Sequence, residues 1–208
     1  MDKETLLVLA PHPDDETLGC GGLIAKTIAE GGDVFIIVFA KNYGSNIDYE
    51  ESEKAFKILG VSQKHCSISL VNNRPLELDR NGLKPFITII EEGCEKVKPT
   101  TVAVPLKSYH QDHQMINKAA MAALRPHGYL AKKVLFYEQP YYCSWSTEVF
   151  KPNYYVDITQ YMDKKIEALK CYKSQKIPFD MIVSMAKIRG GESGVKLAEA
   201  YILMREIV

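Results

Sequence analysis

Short apolar runs alternate with stretches of helical period along the chain. This alternation confines it to a mostly parallel sheet with helices on both faces. Residues 6–10 (LLVLA) read as a buried strand cut off by Pro11. Residues 18–30 follow at helical spacing, with Leu18, Gly22, Ala25 and Ala29 forming a small-residue face, and Gly31-Gly32 ends them. Residues 34–39 (VFIIVF) are β-branched and aromatic, a second buried strand. Further helices are expected over 50–59, 83–97, 115–124 and 161–172, the last capped by Thr159. Further strands are expected over 68–71, 101–104, 134–137 and 154–158, while 196–208 suits helix and strand equally. The polar, aromatic segment 139–153 reads as an irregular rim or lid over a site. The fold class is therefore α/β, a Rossmann-like three-layer sandwich, in one domain spanning 1–208.

Charge and composition exclude several functions. Lys+Arg and Asp+Glu both number 26, so the chain lacks the basic footprint of a nucleic-acid binder. No apolar run is long enough to span a bilayer. The amino-terminal residues have no basic segment leading into a signal-like core, which points to the cytoplasm. Cys20, Cys66, Cys94, Cys143 and Cys171 are scattered without a CxxC pair and read as reduced packing residues.

Two polar motifs stand where such a fold places its chemistry, just beyond the carboxyl ends of strands. The first strand runs directly into Pro11-His12-Pro13-Asp14-Asp15-Glu16, and the strand 101–104 ends a few residues before His110-Gln111-Asp112-His113. If those strands are neighbours at the switch in strand order, the motifs face each other. His12, Asp15 and His113 would then supply two imidazoles and one carboxylate, the open pattern of a catalytic zinc site. Asp14, adjacent to a ligand but pointing elsewhere, is left as general base. His110 would sit across the site as an imidazolium, stabilising an oxyanion or protonating a leaving amine. Asp112 reads as a carboxylate that orients a ligand, and Glu16 as a helix N-terminal charge. His65 and His127 read as surface residues. Gly19-Cys20-Gly21-Gly22 fails the GxGxxG spacing, so these glycines read as close-packing positions, not a phosphate loop.

The same residues carry a family resemblance. LLVLAPHPDDETLGCGG and HQDH resemble the two signatures of the LmbE/PIG-L family of zinc-dependent N-acetylglucosaminyl deacetylases. Weaker similarities lie in AFKILGV, in VDIT before a lysine-rich helix ending in Ser174-Gln175, and in IRGGESGVKLAEAY. The resemblance implies a Rossmann-like fold and hydrolysis of an N-acetyl group, usually on glucosamine. It also implies one Zn2+ on His12, Asp15 and His113, with Asp14 as base and His110 as electrophile or acid. Two positions depart from the family. Asp48 stands where many members carry a sugar-holding arginine, and Ser108 stands where an acid or tyrosine is common, with Tyr109 one place later.

Metal and base act only on the scissile amide, so substrate choice falls to the surrounding loops. The candidate contacts are Asn42, Asp48, Tyr109, Tyr142 and Trp145. An acid at position 48 favours neutral or cationic N-acetylated amino sugars over anionic ones. The expected partner is a small N-acylated sugar or amine, and a homo-oligomer is compatible with the chain. Two other classes stay open: an iron(II) oxygenase built on the same two-His-one-carboxylate set, and a non-catalytic carbohydrate-binding module. Fe2+ or another divalent ion suits the same ligands.

Overall fold

The computed structural model describes residues 3–40, 47–62, 75–127, 129, 131–140 and 150–208, with the side chains of residues 47 and 48 outside that set. In chain order the elements are β1 (Thr5–Ala10), α1 (Asp15–Ala29), β2 (Asp33–Val38), α2 (Ile47–Leu59), a 3-10 turn (Leu78–Asn81), α3 (Lys84–Val97), β3 (Thr101–Pro105), α4 (Gln111–Ala123), β4 (Lys133–Tyr137), β5 (Tyr154–Asp157), α5 (Met162–Leu169), α6 (Phe179–Ser193) and β6 (Ala198–Glu206). The strand expected over 68–71 lies outside the described residues, as do Cys66 and Cys143.

The strands form one sheet in the order β2-β1-β3-β4-β6-β5. β2, β1, β3 and β4 run parallel, and β6 is antiparallel to both β4 and β5. Alternate residues of a strand point to opposite faces, and here both faces are apolar because both are covered. Leu6, Val8 and Ala10 of β1 pack with residues of α1, α2, α5 and α6. Leu7 and Leu9 pack with Phe86, Ile90 and Cys94 of α3 and Ile116, Ala119 and Ala120 of α4. The result is the three-layer α/β sandwich expected from the alternation of strands and helices. The chain leaves β1 towards β2 on one side, and its later strands add on the other, beginning with β3. The switch in strand order therefore lies between β1 and β3.

Helix α1 lies close to the sheet because its glycines lack Cβ. A Cβ at Gly19 would overlap the ring of Tyr137, and one at Gly22 would overlap Ile158. The close approach brings a buried ion pair against the helix backbone. The Glu199 carboxylate accepts the N–H groups of Gly22 (2.7 Å) and Leu23 (2.8 Å), the Lys165 ammonium (2.7 Å) and the Tyr201 hydroxyl (2.8 Å). Lys165 also donates to the Leu18 carbonyl at 2.8 Å. Removing one member of a buried pair strands the other charge. Glu199→Ala is therefore expected to lower unfolding free energy by about 3–5 kcal/mol, read from urea denaturation midpoints. A loss below about 1 kcal/mol would mean that Lys165 and the α1 amides find other partners.

Three sequence expectations change. Thr159 does not cap α5, whose N-cap residue is Tyr161. Its hydroxyl instead accepts from Leu197 N–H at 3.2 Å, joining the end of β5 to the start of β6. The ambiguous carboxyl-terminal stretch is strand β6, because pairing on both sides satisfies its backbone groups. Helix α6 was not anticipated. Its buried residues Ile182, Ala186 and Gly190 fall four apart on one face, but the exposed Ile188 lies off that face and blurs the apolar period.

Candidate metal centre

β1 and β3 are hydrogen-bonded neighbours, so the loops leaving their carboxyl ends meet. After β1 the chain turns tightly through His12-Pro13-Asp14 into α1. Asp14 adopts φ 105°, ψ −30°, a left-handed backbone that Asp tolerates better than most residues. Its N–H donates to the Glu16 carboxylate at 3.3 Å, and its carbonyl accepts from Thr17 and Leu18 N–H. The turn separates the two adjacent acids: Asp15 is buried, whereas Asp14 is half-buried and lines the cleft.

His12, Asp15 and His113 each offer one donor atom, and these lie within 4.8 Å of one another. Asp15 Oδ2 is 3.3 Å from both His12 Nδ1 and His113 Nε2. The carboxylate is held from outside this triangle. Its Oδ1 accepts from the Gln139 amide at 2.5 Å, and Oδ2 also accepts the His12 N–H at 2.9 Å. His12 is held likewise, its Nε2 lying 2.7 Å from Asp112 Oδ2. That contact keeps the proton on Nε2 and turns Nδ1 towards Asp15, the usual way a carboxylate orients a metal-binding imidazole.

A second group, His12, His110 and Asp112, also brings three donor atoms together. Its carboxylate is already committed. Asp112 accepts from His12, from Leu76 N–H at 2.7 Å and from Leu78 N–H at 3.3 Å. The first group is therefore the one suited to an ion.

The electrostatics agree with a cation at that point. Burial alone would depress the His12 imidazole, but its bonds to the Asp112 and Asp15 carboxylates push it up to about 10. Burial would raise the Asp15 carboxyl, but the charges and hydrogen bonds of His113 and His12 hold it well below the usual carboxylate range. The two acids thus demand positive charge between them. A proton on His12 meets that demand in the metal-free protein, and a divalent ion bound to Nδ1, the Asp15 carboxylate and His113 meets it equally. The donor set of two nitrogens and one oxygen fits zinc or a similar divalent ion.

His110 stands beside this triangle, its ring centroid 4.8 Å from those of His12 and His113. Its role as N-cap of α4 decides its protonation: Nδ1 accepts the Asp112 N–H at 3.2 Å. A nitrogen that accepts carries no proton, so the remaining proton is on Nε2. Burial, followed by the neighbouring His113 and His12 charges, lowers its pKa to about 4. Both features favour a neutral ring over the imidazolium expected from the sequence. Ser108 accepts the His110 N–H at 3.3 Å, a structural use for the residue that departs from the family pattern.

Glu16 stands in the first turn of α1, as expected, and is fully buried there. It accepts from Thr17 Oγ1 (2.7 Å) and the Tyr172 hydroxyl (2.5 Å) beneath the Asp14 turn and so anchors that turn. Burial raises its pKa despite those bonds. Tyr109 is exposed and is not among the residues lining the cleft. Asn42, Tyr142, Trp145 and the Asp48 side chain lie outside the described residues. His127 is exposed, as expected, and His65 lies outside the described residues.

Gln139 was missed as a site residue. Its signal was position: it follows β4 directly, at the carboxyl end where Asp15 and His113 also gather. Gln139→Leu would free Asp15 Oδ1. It is expected to weaken metal binding by about 10–100-fold, as loss of such supporting contacts does elsewhere, measured by competition with a chromogenic chelator. Unaltered affinity would remove Gln139 from the metal's support.

His12 and Asp15 of this triad, with Asp14 and His110, line a cleft of about 510 Å³, within the range of small-ligand sites, and His113 lies buried behind them. The fold and site thus define a doubly wound α/β protein with a His-Asp-His cluster suited to a metal ion at its switch point. The chain belongs to the PIG-L family of N-acetylglucosaminyl deacetylases: the family described as GlcNAc-PI de-N-acetylase matches residues 7–124. It is 30% identical over 184 residues to the uncharacterized deacetylase YaiS of Escherichia coli K12, covering 83% of this chain and 92% of that protein. It is 27% identical over 207 residues to the diacetylchitobiose deacetylase of Thermococcus kodakarensis, covering 84% of this chain and 71% of that one. Among solved structures, the conserved protein TT1542 of Thermus thermophilus superposes with a TM-score of 0.77 at 24% identity, covering 98% and 96% of the two chains. The 4-carboxy-2-hydroxymuconate hydratase GalB of Pseudomonas putida KT2440 superposes with a TM-score of 0.76 at 21% identity, covering 99% and 98%. At below 25% identity, both structural likenesses concern the fold alone.

Proposed function

We propose that this protein is a zinc-dependent deacetylase that hydrolyses the N-acetyl amide of an amino sugar or related N-acyl amine. The observation that carries this reading is the meeting of His12, Asp15 and His113 donor atoms within 4.8 Å beside an open cleft that His12 and Asp15 line, in a chain of a deacetylase family. A divalent ion held there supplies Lewis acidity towards the amide carbonyl and makes water nucleophilic near neutral pH.

The chain's own residues do the rest. Asp14 lines the same cleft and serves as general base, taking a proton from the attacking water. His110, a neutral donor through Nε2, hydrogen-bonds the developing oxyanion, where an oriented donor lowers the barrier most. Asp14, once protonated, returns its proton to the departing amine. Asp112 and Gln139 keep His12 and Asp15 in place throughout.

The test is acetate release from a panel of N-acetylated amino sugars by protein loaded with about one zinc per chain. Acetate and free amine should appear in equal amounts, and complete chelation should abolish both. Turnover that survives chelation overturns the metallohydrolase reading. Turnover that consumes oxygen transfers the site to the iron oxygenases, which use the same ligand types.

A further inference from the structure

Gln139 restrains the metal ligand Asp15 from a position just past the sheet. The ladder of β4 ends at Tyr137, whose carbonyl accepts from Leu106 N–H at 3.4 Å. Beyond that bond the chain leaves the sheet, and Pro140 has no N–H to donate. A glutamine side chain is long and rich in rotamers. It presents its amide steadily to Asp15 Oδ1 only where the backbone beneath it is itself fixed.

The preceding residue supplies that fixing. Glu138 meets Arg189 of α6 in a two-bond fork: Nε donates to Oε2 at 2.9 Å and Nη2 to Oε1 at 2.6 Å. Both side chains are mostly buried. Arg189 Nη1 donates to both oxygens of Glu192 at 2.9 Å, and its Cζ lies over the Phe150 ring, 5.2 Å from the centroid. Arg189 thus ties α6 to the chain on both sides of residues 141–149. Helix α6 is in turn seated in the core through Ile182 and Ala186. A planar fork transmits that seat to Glu138 in two parallel bonds, which fix direction as well as distance.

This pair stays away from the reacting atoms. Neither Glu138 nor Arg189 lines the catalytic cleft. Both line a separate small pocket beyond Leu18 and Pro140, the two residues that border both spaces. With Nε and both Nη atoms engaged by carboxylates, the guanidinium is committed inside the protein.

We propose that Arg189 is a positioning residue for the metal centre, acting through Glu138 and Gln139 on Asp15. The contacts run from the guanidinium to the Glu138 carboxylate, along the backbone to residue 139, and from the Gln139 amide to Asp15 Oδ1. The inference rests on the metal-site reading and is independent of which amide is cleaved.

The test is zinc affinity of the full chain, measured by competition with a chromogenic chelator and without turnover. Arg189→Gln should weaken binding by about tenfold, the lower end of what loss of an outer contact costs. Arg189→Lys keeps the charge but not the fork, and should fall between that variant and the wild type. Two comparisons separate positioning from general damage to α6. Glu192→Gln removes the Arg189 partner that lies on α6 itself, and should leave affinity within about twofold of the wild type. In a Gln139→Leu background, Arg189→Gln should cost less than about a further twofold, because the link it acts through is already gone. Should Arg189→Gln fail to fold, Arg189→Lys enters the same cycle. Penalties that multiply in the double variant, or an equal loss in Glu192→Gln, overturn the proposal, as does wild-type affinity in both Arg189 variants. A wild type that binds no divalent ion overturns the proposal and the metallohydrolase reading together. If the wild type binds zinc with this pattern of affinities but releases no acetate from any N-acetyl compound, the deacetylase reading fails and the role of Arg189 stands.

Discussion

Asp14→Asn is expected to keep its metal and to lose about two to four powers of ten in kcat, the contribution of a positioned general base. The substitution isolates chemistry from structure. Asparagine has nearly the same shape and is among the residues that tolerate positive φ, so the 105° backbone of the turn survives. Glu16 still accepts the N–H of residue 14, and Asp15 keeps both its Gln139 contact and its place between His12 and His113. What disappears is the ability to accept a proton. Metal content by elemental analysis and kcat by acetate release give the two readings. Loss of metal in Asp14→Asn, with retention in Asp15→Asn, would exchange the roles of the adjacent acids.

His113→Ala should act through the other property and abolish metal binding together with activity. His113 is fully buried in the first turn of α4, and its Nε2 stands 3.3 Å from Asp15 Oδ2. Alanine leaves two donors where three converged. Structural zinc sites with four ligands reach about 10–16 kcal/mol, so one ligand's share corresponds to about two to three powers of ten in affinity. A ligand that binds only the folded state raises its stability. Chelator should therefore lower the Tm of the wild type and leave that of His113→Ala unchanged. A chelator-sensitive Tm in the variant would show that the ion is held elsewhere, for instance by His12, His110 and Asp112.

The effects should rank by position. Loss of a direct donor such as His113 costs the ion itself. Loss of Gln139, which only restrains Asp15, costs part of the affinity. Loss of Asp14 costs rate alone. A metal site reduced to its ligand list would not separate these outcomes, because the distinction lies in which atom of each side chain is already engaged.

Much of the fold was legible in one dimension. β1 and β2 are buried on both faces and read as continuous apolar runs, and α3 carries a one-sided apolar stripe. Both are signals that a few neighbouring residues suffice to create. α6 and β6 lack such signals. The apolar period of α6 is blurred by the exposed Ile188 off its buried face, and β6 becomes a strand because β4 and β5 offer it hydrogen-bonding edges. Thr159 likewise has the chemistry of a cap, but its hydroxyl accepts from the Leu197 amide instead.

What the sequence by itself determined is the donor chemistry and its address. HPDDE and HQDH supply the imidazoles and carboxylates, and each motif follows a strand, so both fall at the carboxyl edge of a parallel sheet wherever those strands pair. Only the tertiary structure decided how each group is used. It made β1 and β3 neighbours, buried Glu16 against Tyr172, and set Asp112 to hold His12. It also brought Gln139 to Asp15 from 124 residues away and set His110 Nδ1 as the cap of α4. The reason is physical. The residue type fixes which donors and acceptors exist, but protonation and orientation depend on which partners lie within about 3 Å, and those partners come from segments that only folding brings together.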